Sequence, residues 1–338
     1  MLHRSVLSVF VLYCCLAAVV FSDQPYPLEI PHGLPAIQIP DENQLTVGKV
    51  ELGKQLFFDP RLSRDNSISC ASCHQSSKGW SNGAAVGTGI DGQKGTRSVL
   101  SPVNSAYQRT LFWDGRADSL EDQAHRPIES PTEMDIPMAE LATKLNEIPG
   151  YRAQFQEVFG TDATPETIRQ AIASFMRTLI AGNAPLDRFR AGDESALSDA
   201  ARRGHDVFFF RANCATCHRM PLLMDHDVHN LGIGIDETEP DLGRFNITGN
   251  KAHHWGKFRT PTLRDIGRTA PYMHNGQFAT LEKVVDFYSD GGFPNPKLDL
   301  MINIIPLSDQ EKQDLVTFLK EGLTSDDYPE VEPPALPQ

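Results

Sequence analysis

The chain has 338 residues, which is enough for two or three domains at the usual size of about 100 to 200 residues each. With 40% hydrophobic and 22% charged residues it has the composition of a soluble globular protein, which excludes a collagen, a wholly disordered protein and a multi-span membrane protein. The formal net charge of -13 argues against a general nucleic-acid binder, because such proteins need a basic surface to displace counterions from phosphates. An acidic surface suits a basic partner, or it serves solubility alone.

Residues 1–22 predict a secretory signal peptide. Arg4 supplies the positive charge, residues 6–21 form an almost unbroken apolar run, and cleavage is expected after Ser22. A retained membrane anchor is the alternative, although the run is short for a span of about 20 residues. A lipoprotein signal at one of the two cysteines in the run is a further alternative. No later segment is predicted to cross a membrane, so we expect the mature protein in the periplasm.

Proline-rich residues 23–45 predict an extended lead-in to the first domain. From Thr46 onward, apolar residues recur at helical spacing as far as Phe57, and Asp59 followed by proline is expected to end that helix. Residues 75–105 contain many glycines and small polar residues, which predicts a long loop. Loops of that length inside compact domains are usually functional.

The second half of the chain repeats the plan of the first. The stretch Gly-Lys-Gln-Leu-Phe at 53–57 precedes the first cysteine pair, and Gly-His-Asp-Val-Phe at 204–208 precedes the second. A helix is predicted after Thr164, with proline at its first position, and its counterpart follows Ser308 in a capping box. The tail, rich in acids and proline, is predicted to be disordered. The predicted boundaries are 1–22 for the signal, 23–45 for the lead-in, 46–183 and 184–326 for two mostly helical domains, and 327–338 for the tail.

If the signal is cleaved, all remaining cysteines belong to two C-x-x-C-H motifs, Cys70-Ala-Ser-Cys73-His74 and Cys214-Ala-Thr-Cys217-His218. This spacing is typical of c-type haem attachment, in which two thiols bind the vinyl groups on one porphyrin edge and the following histidine binds the iron. Two local disulfides and a four-cysteine zinc site are the alternatives. Zinc ribbons normally place their pairs within about 15 to 20 residues, and neither alternative requires a histidine after each pair. We therefore predict two covalently bound haem c groups.

The chain resembles the bacterial dihaem cytochrome c peroxidases and their relative, the methylamine utilisation protein MauG. The resemblance rests on these two motifs and on several others, which follow one another in the order found in that family. The other motifs are Leu-Phe-Phe-Asp-Pro-Arg at 56–61, Phe-Trp-Asp-Gly-Arg-Ala at 112–117, Leu-Glu-Asp-Gln-Ala at 120–124, Glu-Met at 133–134, Thr-Pro-Thr-Leu-Arg-Asp at 260–265 and Ala-Pro-Tyr-Met-His-Asn-Gly at 270–276. The resemblance implies an all-α fold of two c-type cytochrome domains, with the two haems arranged across their interface.

The resemblance also assigns roles to individual side chains. Trp113 falls at the tryptophan that lies between the two haems and passes electrons. Gln123, Pro127 and Glu133 fall in the peroxide pocket, where the glutamate is the acid–base group. Splitting the O–O bond requires a proton to move from one oxygen to the other, and a carboxyl group can make both transfers. The residues alone leave three neighbouring carboxylates as alternatives: Glu121, Asp122 and Glu129.

Two positions depart from other peroxidases of the family. Ile90 stands where the resemblance places a removable distal histidine on the first haem, so that haem is expected to be open without prior reduction. Tyr288 stands at the position of the distal ligand of the second haem. That ligand is methionine in those peroxidases and tyrosine in MauG-like proteins. An anionic phenolate ligand stabilises ferric over ferrous iron. The alternative is that Tyr288 is an ordinary residue of an amphipathic helix and that Met301 or another methionine binds the second iron.

The resemblance further implies a calcium ion between the domains. Thr269 and Pro271 match the positions that supply backbone carbonyls, whereas Ser98 stands in the position of an asparagine ligand. A serine hydroxyl is a poorer ligand than an amide oxygen for this hard cation. The other histidines of the mature chain are interpreted as surface or structural residues, with His274 as the exception because it lies inside a family motif.

Three functions follow from this interpretation. The first is a dihaem peroxidase that reduces hydrogen peroxide with electrons from a small redox protein, a cytochrome c or a cupredoxin. The second is a MauG-like enzyme that uses peroxide to oxidise a side chain of a partner protein. The third is a non-enzymatic dihaem electron carrier, which the open first haem argues against because carriers usually protect both axial positions.

Overall fold

The computed structural model describes residues 22–249 and 251–338, so the predicted signal peptide lies almost wholly outside the described residues. In the described ranges, two-residue strands β1 (Val228–His229) and β2 (Phe258–Arg259) pair antiparallel and form the only sheet. The α-helices of those ranges are α1 (Val47–Phe58), α2 (Cys70–Cys73), α3 (Leu120–Glu129), α4 (Met138–Asn146), α5 (Pro149–Phe159), α6 (Pro165–Thr178), α7 (Pro185–Arg190), α8 (Asp199–Asp206), α9 (Arg244–Ile247), α10 (Leu281–Ser289) and α11 (Asp309–Thr317). None of the helices described is both long and apolar enough to span a bilayer.

Helices α1 and α6 form the centre of the N-terminal half. Both begin where the sequence predicts, because Thr46 accepts a hydrogen bond from the backbone of Lys49 and Thr164 caps α6 in the same way. The helices approach so closely at Gly53 that a Cβ atom there would lie 1.9 Å from the carbonyl oxygen of Ala171. The predicted helix that ends before Asp59 is therefore confirmed, and its glycine is required by the crossing.

The C-terminal half repeats this helix pair. Helix α8 continues as a π-helical turn to Arg211 and packs against α11, which continues in the same way to Gly322. A Cβ atom on Gly204 would lie 2.0 Å from the carbonyl oxygen of Asp314. One turn further, the ring centroids of Phe208 and Phe318 lie 5.5 Å apart. Their counterparts in α1 and α6, Phe57 and Phe175, lie 5.2 Å apart. The repeat seen in the sequence is thus present as a repeated helix crossing.

The repeat extends to the turn and helix that follow each long loop. Isolated bridges pair Leu111 with Ala117 in the first copy and Tyr272 with Phe278 in the second. Helices α3 and α10 then begin at hydroxyl caps, Ser119 and Thr280. Counted from these caps, Pro127 and Tyr288 occupy equivalent positions.

The buried apolar residues form two clusters. One draws its residues from Leu45 to Ala181, and the other from Leu186 to Leu323. The break between them lies beside the domain boundary that the sequence predicts between residues 183 and 184. Residues 75–105 contain no α-helix or strand, and short 3-10 turns interrupt an otherwise irregular loop.

The prediction of a disordered tail at 327–338 is wrong. Tyr328 and Val331 pack against the N-terminal cluster, the indole of Trp80 donates a hydrogen bond to the carbonyl of Pro329 at 2.7 Å, and Arg61 donates to the carbonyl of Pro337 at 2.9 Å. Proline-rich chain lacks periodicity, so its sequence predicts no regular element. Its extended backbone nevertheless presents free carbonyls that side chains of a folded domain can bind.

Candidate functional site

The first cysteine pair opens onto a cavity of about 720 Å³, called here the N-terminal cavity. This volume lies within the range of about 300 to 1,000 Å³ that is usual for ligand pockets. The predicted residues that line it are Cys70, Cys73, His74, Trp113, Gln123, Pro127 and Glu133. The structure therefore brings together the first C-x-x-C-H motif and all the residues predicted for the peroxide pocket.

His74 is held in one orientation by the loop that follows it. Its Nδ1 atom lies 3.1 Å from the carbonyl oxygen of Trp80, which can only accept, so Nδ1 carries the proton. Burial lowers the pKa of His74, which favours the neutral imidazole. The lone pair of Nε2 is left for a metal ion, and a carbonyl bonded to the other nitrogen is the usual support of a metal-binding histidine.

Gln123 and Pro127 lie four residues apart on α3, so both side chains lie on the face that lines the cavity. Proline has no N–H, so Pro127 leaves the backbone carbonyl of Gln123 without its usual helical donor. The carbonyl of Pro127 itself accepts a hydrogen bond from the backbone of Met134 at 3.2 Å. The helix thereby holds the segment that carries Glu133.

Glu133 is half-buried and is fixed by the long loop. A Cβ atom on Gly89 would lie 2.1 Å from the carbonyl oxygen of Thr132, so only glycine lets the two backbones approach. The next residue, Ile90, is fully buried and donates its backbone N–H to the carbonyl of Glu133 at 2.8 Å. Burial raises the pKa of the Glu133 carboxyl, and the positive charge of Arg116 opposes that effect.

The three alternative carboxylates are engaged elsewhere. Glu121 forms a buried pair with Arg177, with a donor–acceptor distance of 2.7 Å, and also accepts from Asn43. Asp122 is paired with Arg126, and Glu129 with His125. Each therefore stabilises the fold around α3, which leaves Glu133 as the carboxyl group of this set that lines the cavity.

The second cysteine pair opens onto a cavity of about 450 Å³, called here the C-terminal cavity. Its lining includes Cys214, Cys217, His218 and Tyr288. The Nδ1 atom of His218 lies 2.9 Å from the carbonyl of Leu223, which repeats the arrangement at His74. Both motifs therefore present a neutral imidazole with a free Nε2 to an enclosed space.

Tyr288 reaches the C-terminal cavity from α10, in the position that Pro127 occupies in the repeat. Burial raises the pKa of its phenol above the ordinary value of 10.0. Met301 lines the same cavity, but it lies on a loop and its side chain is 46% exposed. The geometry thus keeps both sequence alternatives within reach, with the more enclosed position at Tyr288.

Trp113 lines both cavities, as do Ser98, Arg259 and His274. The indole N–H of Trp113 donates to the carbonyl of Ser98 at 2.9 Å, and the backbone carbonyl of Trp113 accepts from Arg259 at 2.7 Å. The rings of Trp113 and His274 lie 6.4 Å apart. These contacts hold the indole in the wall between the cavities, the place that the family resemblance predicts for it.

Two buried residues of this wall, Arg259 and His274, were given no role by the sequence interpretation, although it singled out His274 as lying inside a family motif. Arg259 is 4% exposed, forms no salt bridge within the described ranges, and burial lowers its pKa to about 10. His274 stacks on Phe258 with ring centroids 3.6 Å apart, and burial lowers its pKa to about 4. The internal repeat could have located His274, because it occupies in the second turn the position that Trp113 occupies in the first.

The residues predicted for calcium, Ser98, Thr269 and Pro271, all line the C-terminal cavity. The N–H of Ser98 donates to the carbonyl of His274, and its carbonyl accepts from Trp113, which fixes the backbone at this position. The calcium ion stays an expectation.

The alternatives to haem attachment find no support. No disulfide joins the cysteines of either motif, and the two pairs line separate cavities. In the described part of the chain, one group of side chains has spacing suited to a metal ion, Cys217 with Asp225 and His229. Both ring nitrogens of His229 lie against carboxylates, Nδ1 at 2.6 Å from Asp299 and Nε2 at 2.9 Å from Asp225. Burial lowers the pKa of His229, but hydrogen bonds that include these two raise it to about 11.

Comparisons with known proteins agree with this arrangement. Residues 48–195 match the family model described as di-haem cytochrome c peroxidase. The methylamine utilization protein MauG of Methylorubrum extorquens is 41% identical over 298 residues, which cover 87% of this chain and 81% of that protein. The chain belongs to the dihaem cytochrome c peroxidase and MauG family. The cytochrome-c peroxidase IdrP1 of Denitromonas iodatirespirans is 38% identical over 91% of this chain and 89% of that relative.

Solved structures show the same fold. A crystal structure of a MauG-like protein associated with microbial copper homeostasis is 33% identical, with a TM-score of 0.80 over 89% of this chain and 96% of that one. Membership of the dihaem family implies covalently bound haem c. The donor set fits that group in both cavities, because each is lined by two thiols and an imidazole whose pKa burial lowers.

Proposed function

We propose that this member of the dihaem family is a peroxidase that reduces hydrogen peroxide with electrons from a small redox protein. The observation that carries the proposal is the presence of Glu133 and Gln123 in the same cavity as His74. One peroxide molecule, two electrons and two protons give two water molecules. A haem c bound at His74 would supply the iron that takes peroxide and accepts its oxidising equivalents.

The acid–base work falls to Glu133. Its carboxylate would take the proton from the inner oxygen of peroxide and return it to the outer oxygen, which leaves as water. Burial raises its pKa, so it gives and takes a proton nearer to neutral pH than an exposed carboxyl does. The side-chain amide of Gln123, on the same wall, can donate a hydrogen bond to peroxide and orient it.

The absence of a histidine at position 90 supports peroxide access without prior reduction. Ile90 cannot bind iron, and its backbone is committed to Glu133. Electron paramagnetic resonance of the resting ferric protein tests this proposal. We expect one high-spin signal and a prompt reaction with peroxide. Two low-spin signals, with activity only after one-electron reduction, would contradict it.

A MauG-like reaction is the second candidate, and Tyr288 favours it. An anionic phenolate ligand compensates positive charge on the iron, which favours long storage of oxidising equivalents at the second site. Such storage suits a protein substrate that arrives slowly and gives up two electrons from a side chain. The two candidates are separated by the rate at which the oxidised state formed with peroxide decays after a reduced cytochrome c or cupredoxin is added. Rapid turnover supports the peroxidase, and slow decay supports oxidation of a protein.

The surface beside the C-terminal cavity is suited to a protein partner. Leu300 and Ile304 are 94% and 76% exposed and lie in the same loop as Met301, which lines the cavity. Contiguous exposed apolar patches mark interaction sites. The net charge of -13 favours a basic partner. We also propose the periplasm as the location and residues 46–183 and 184–326 as the two haem domains.

A further inference from the structure

The last residues of the chain cross from one hydrophobic cluster to the other. These residues, 325–338, are called the C-terminal strap. At its start, Ser325 donates two hydrogen bonds to Asp265, which belongs to the C-terminal half. At its end, the backbone of Gly150 in α5 donates to a backbone oxygen of Gln338 at 2.8 Å. The strap therefore connects the two halves of the molecule.

The middle of the strap contacts the surroundings of both predicted haems. Tyr328 lines the C-terminal cavity and lies over the guanidinium of Arg268, with 4.5 Å from the guanidinium carbon to the ring centroid. The next residue, Pro329, accepts the hydrogen bond from the indole of Trp80 at 2.7 Å. Trp80 is fully buried, and its own carbonyl accepts from Nδ1 of His74. A chain of two hydrogen bonds thus runs from the strap to the first histidine.

The backbone at Trp80 depends on these neighbours. Its φ is +57°, a left-handed conformation that bulky residues rarely adopt and that surrounding contacts must maintain. Gly79 packs so closely on the other half that a Cβ atom there would lie 2.8 Å from the carbonyl of Arg268. The loop therefore packs against the C-terminal half at Gly79 and is hydrogen-bonded to the strap at Trp80. The backbone N–H of Trp80 also donates to the carbonyl of Gln75 at 2.8 Å.

We propose that Trp80 is a positioning residue, through which the C-terminal strap sets the orientation and basicity of His74 as ligand of the first haem. A carbonyl held against Nδ1–H makes the imidazole a stronger donor to iron, and loss of such support typically costs about 10- to 100-fold in metal affinity or activity. The inference rests on the proposed role of His74. It adds that the C-terminal half controls this ligand through the strap.

Two variants of the haem-loaded protein test the inference. Trp80→Phe keeps an aromatic ring in the core and removes the donor to Pro329, together with the extra volume of the indole. A chain that ends at Asp327 removes that acceptor and leaves the Ser325 contact intact. Trp255→Phe, in the loop before β2, is the matched control. The iron–histidine stretching frequency of the reduced first haem is measured by resonance Raman spectroscopy, together with haem content and the rate of reaction with peroxide.

We expect both variants to retain two haems, to show a lowered or split iron–histidine frequency, and to react about 10-fold more slowly with peroxide. The control should match the wild type in all three measurements. Wild-type frequency and rate in both variants would overturn the inference while leaving the peroxidase proposal standing. If the wild-type protein shows no iron–histidine stretching band for the first haem, the proposed function is overturned instead. If truncation prevents folding, Trp80→Phe decides alone.

Discussion

At the scale of single residues, the N-terminal cavity is distinguished by a carboxyl group that forms no salt bridge within the described residues. The segment 121–133 carries four acidic side chains with similar solution properties. Arg177, Arg126 and His125 engage three of them and thereby lower their pKa values. Glu133 alone of the four has a raised pKa. A group with these properties is the one suited to exchange a proton with a substrate.

The first prediction concerns Glu133→Gln. This variant should keep both haems and react with peroxide about 10² to 10⁴ times more slowly, the usual contribution of a positioned acid–base group. Stopped-flow absorbance after peroxide addition measures the rate. Glu129→Gln, four residues earlier and paired with His125, is the control and should react at the wild-type rate.

The same carboxyl group predicts a pH dependence. Glu133 must be deprotonated to accept the peroxide proton, so the wild-type rate should fall as the pH decreases through its pKa. Because burial raises that pKa, the fall should centre above 4.5, the ordinary value of a glutamate. Glu133→Gln should lack this limb. An unchanged pH profile in the variant would assign the proton transfer to another group.

The second prediction concerns Tyr288→Phe. Haem attachment at Cys214 and Cys217 should be unaffected, whereas loss of an anionic ligand should raise the reduction potential of the second haem. Spectroelectrochemical titration measures the change. Tyr107→Phe, whose hydroxyl binds the carbonyl of Pro35 at the surface, is the control. If Met301→Leu changes the potential and Tyr288→Phe does not, methionine is the ligand.

At the scale of secondary-structure elements, the repeated helix crossing explains why glycine precedes each cysteine pair. Close approach at Gly53 and Gly204 brings α1 against α6 and α8 against α11. An ion pair repeats as well, Glu121 with Arg177 in the first copy and Glu282 with Lys320 in the second. Each crossing places a C-x-x-C-H motif at the end of a rigid helix pair, so both cavities have similar walls.

The third prediction is that Gly204→Ala destabilises the C-terminal half. The added Cβ would lie 2.0 Å from a backbone carbonyl of Asp314, so the helices must separate. Overpacking of this kind usually costs about 1 to 3 kcal/mol. Denaturant unfolding of the haem-loaded protein measures it. Gly267→Ala, where the nearest atom is 3.5 Å away, should change stability by less than about 0.5 kcal/mol. Equal stability of the two variants would mean that the crossing adapts.

At the scale of the whole molecule, the two cavities share one wall, and the proposed function would require electrons to pass across it. Trp113 and His274 occupy equivalent positions in the two copies of the turn, and both line both cavities. Arg259 adds a buried positive charge to the same wall. The duplication therefore builds the two sites and also supplies the aromatic groups between them.

The fourth prediction is that Trp113→Phe slows electron exchange between the sites. The variant should react with peroxide at the first site as the wild type does, while spectral changes of the second haem lag behind. Loss of the hydrogen bond to Ser98 should cost about 1 kcal/mol of unfolding free energy. Stopped-flow spectra resolve the two haems, and Trp255→Phe is the control. Simultaneous changes at both haems in the variant would show that Trp113 is not needed for the transfer.

The sequence by itself determined the features that depend on near neighbours in the chain. Helix starts at Thr46, Thr164 and Ser308 are confirmed, because a cap is a contact between residues three apart. The two C-x-x-C-H motifs are equally local, since one porphyrin edge and one iron dictate their spacing. These short patterns, in order along the chain, were sufficient for the family and for a helical fold.

Only the tertiary structure decided which groups meet across long separations in sequence. The residues alone could not single out Glu133 among the four carboxylates, and the resemblance was needed to choose it. Its surroundings depend on how α3 packs against the long loop. The ordered strap was missed for the same reason. Its contact with Trp80 joins residues 249 positions apart, and extended, proline-rich chain carries no periodic signal of where it will bind. Packing over such distances depends on the complete fold. For this reason the wall between the cavities could be identified only in the tertiary structure.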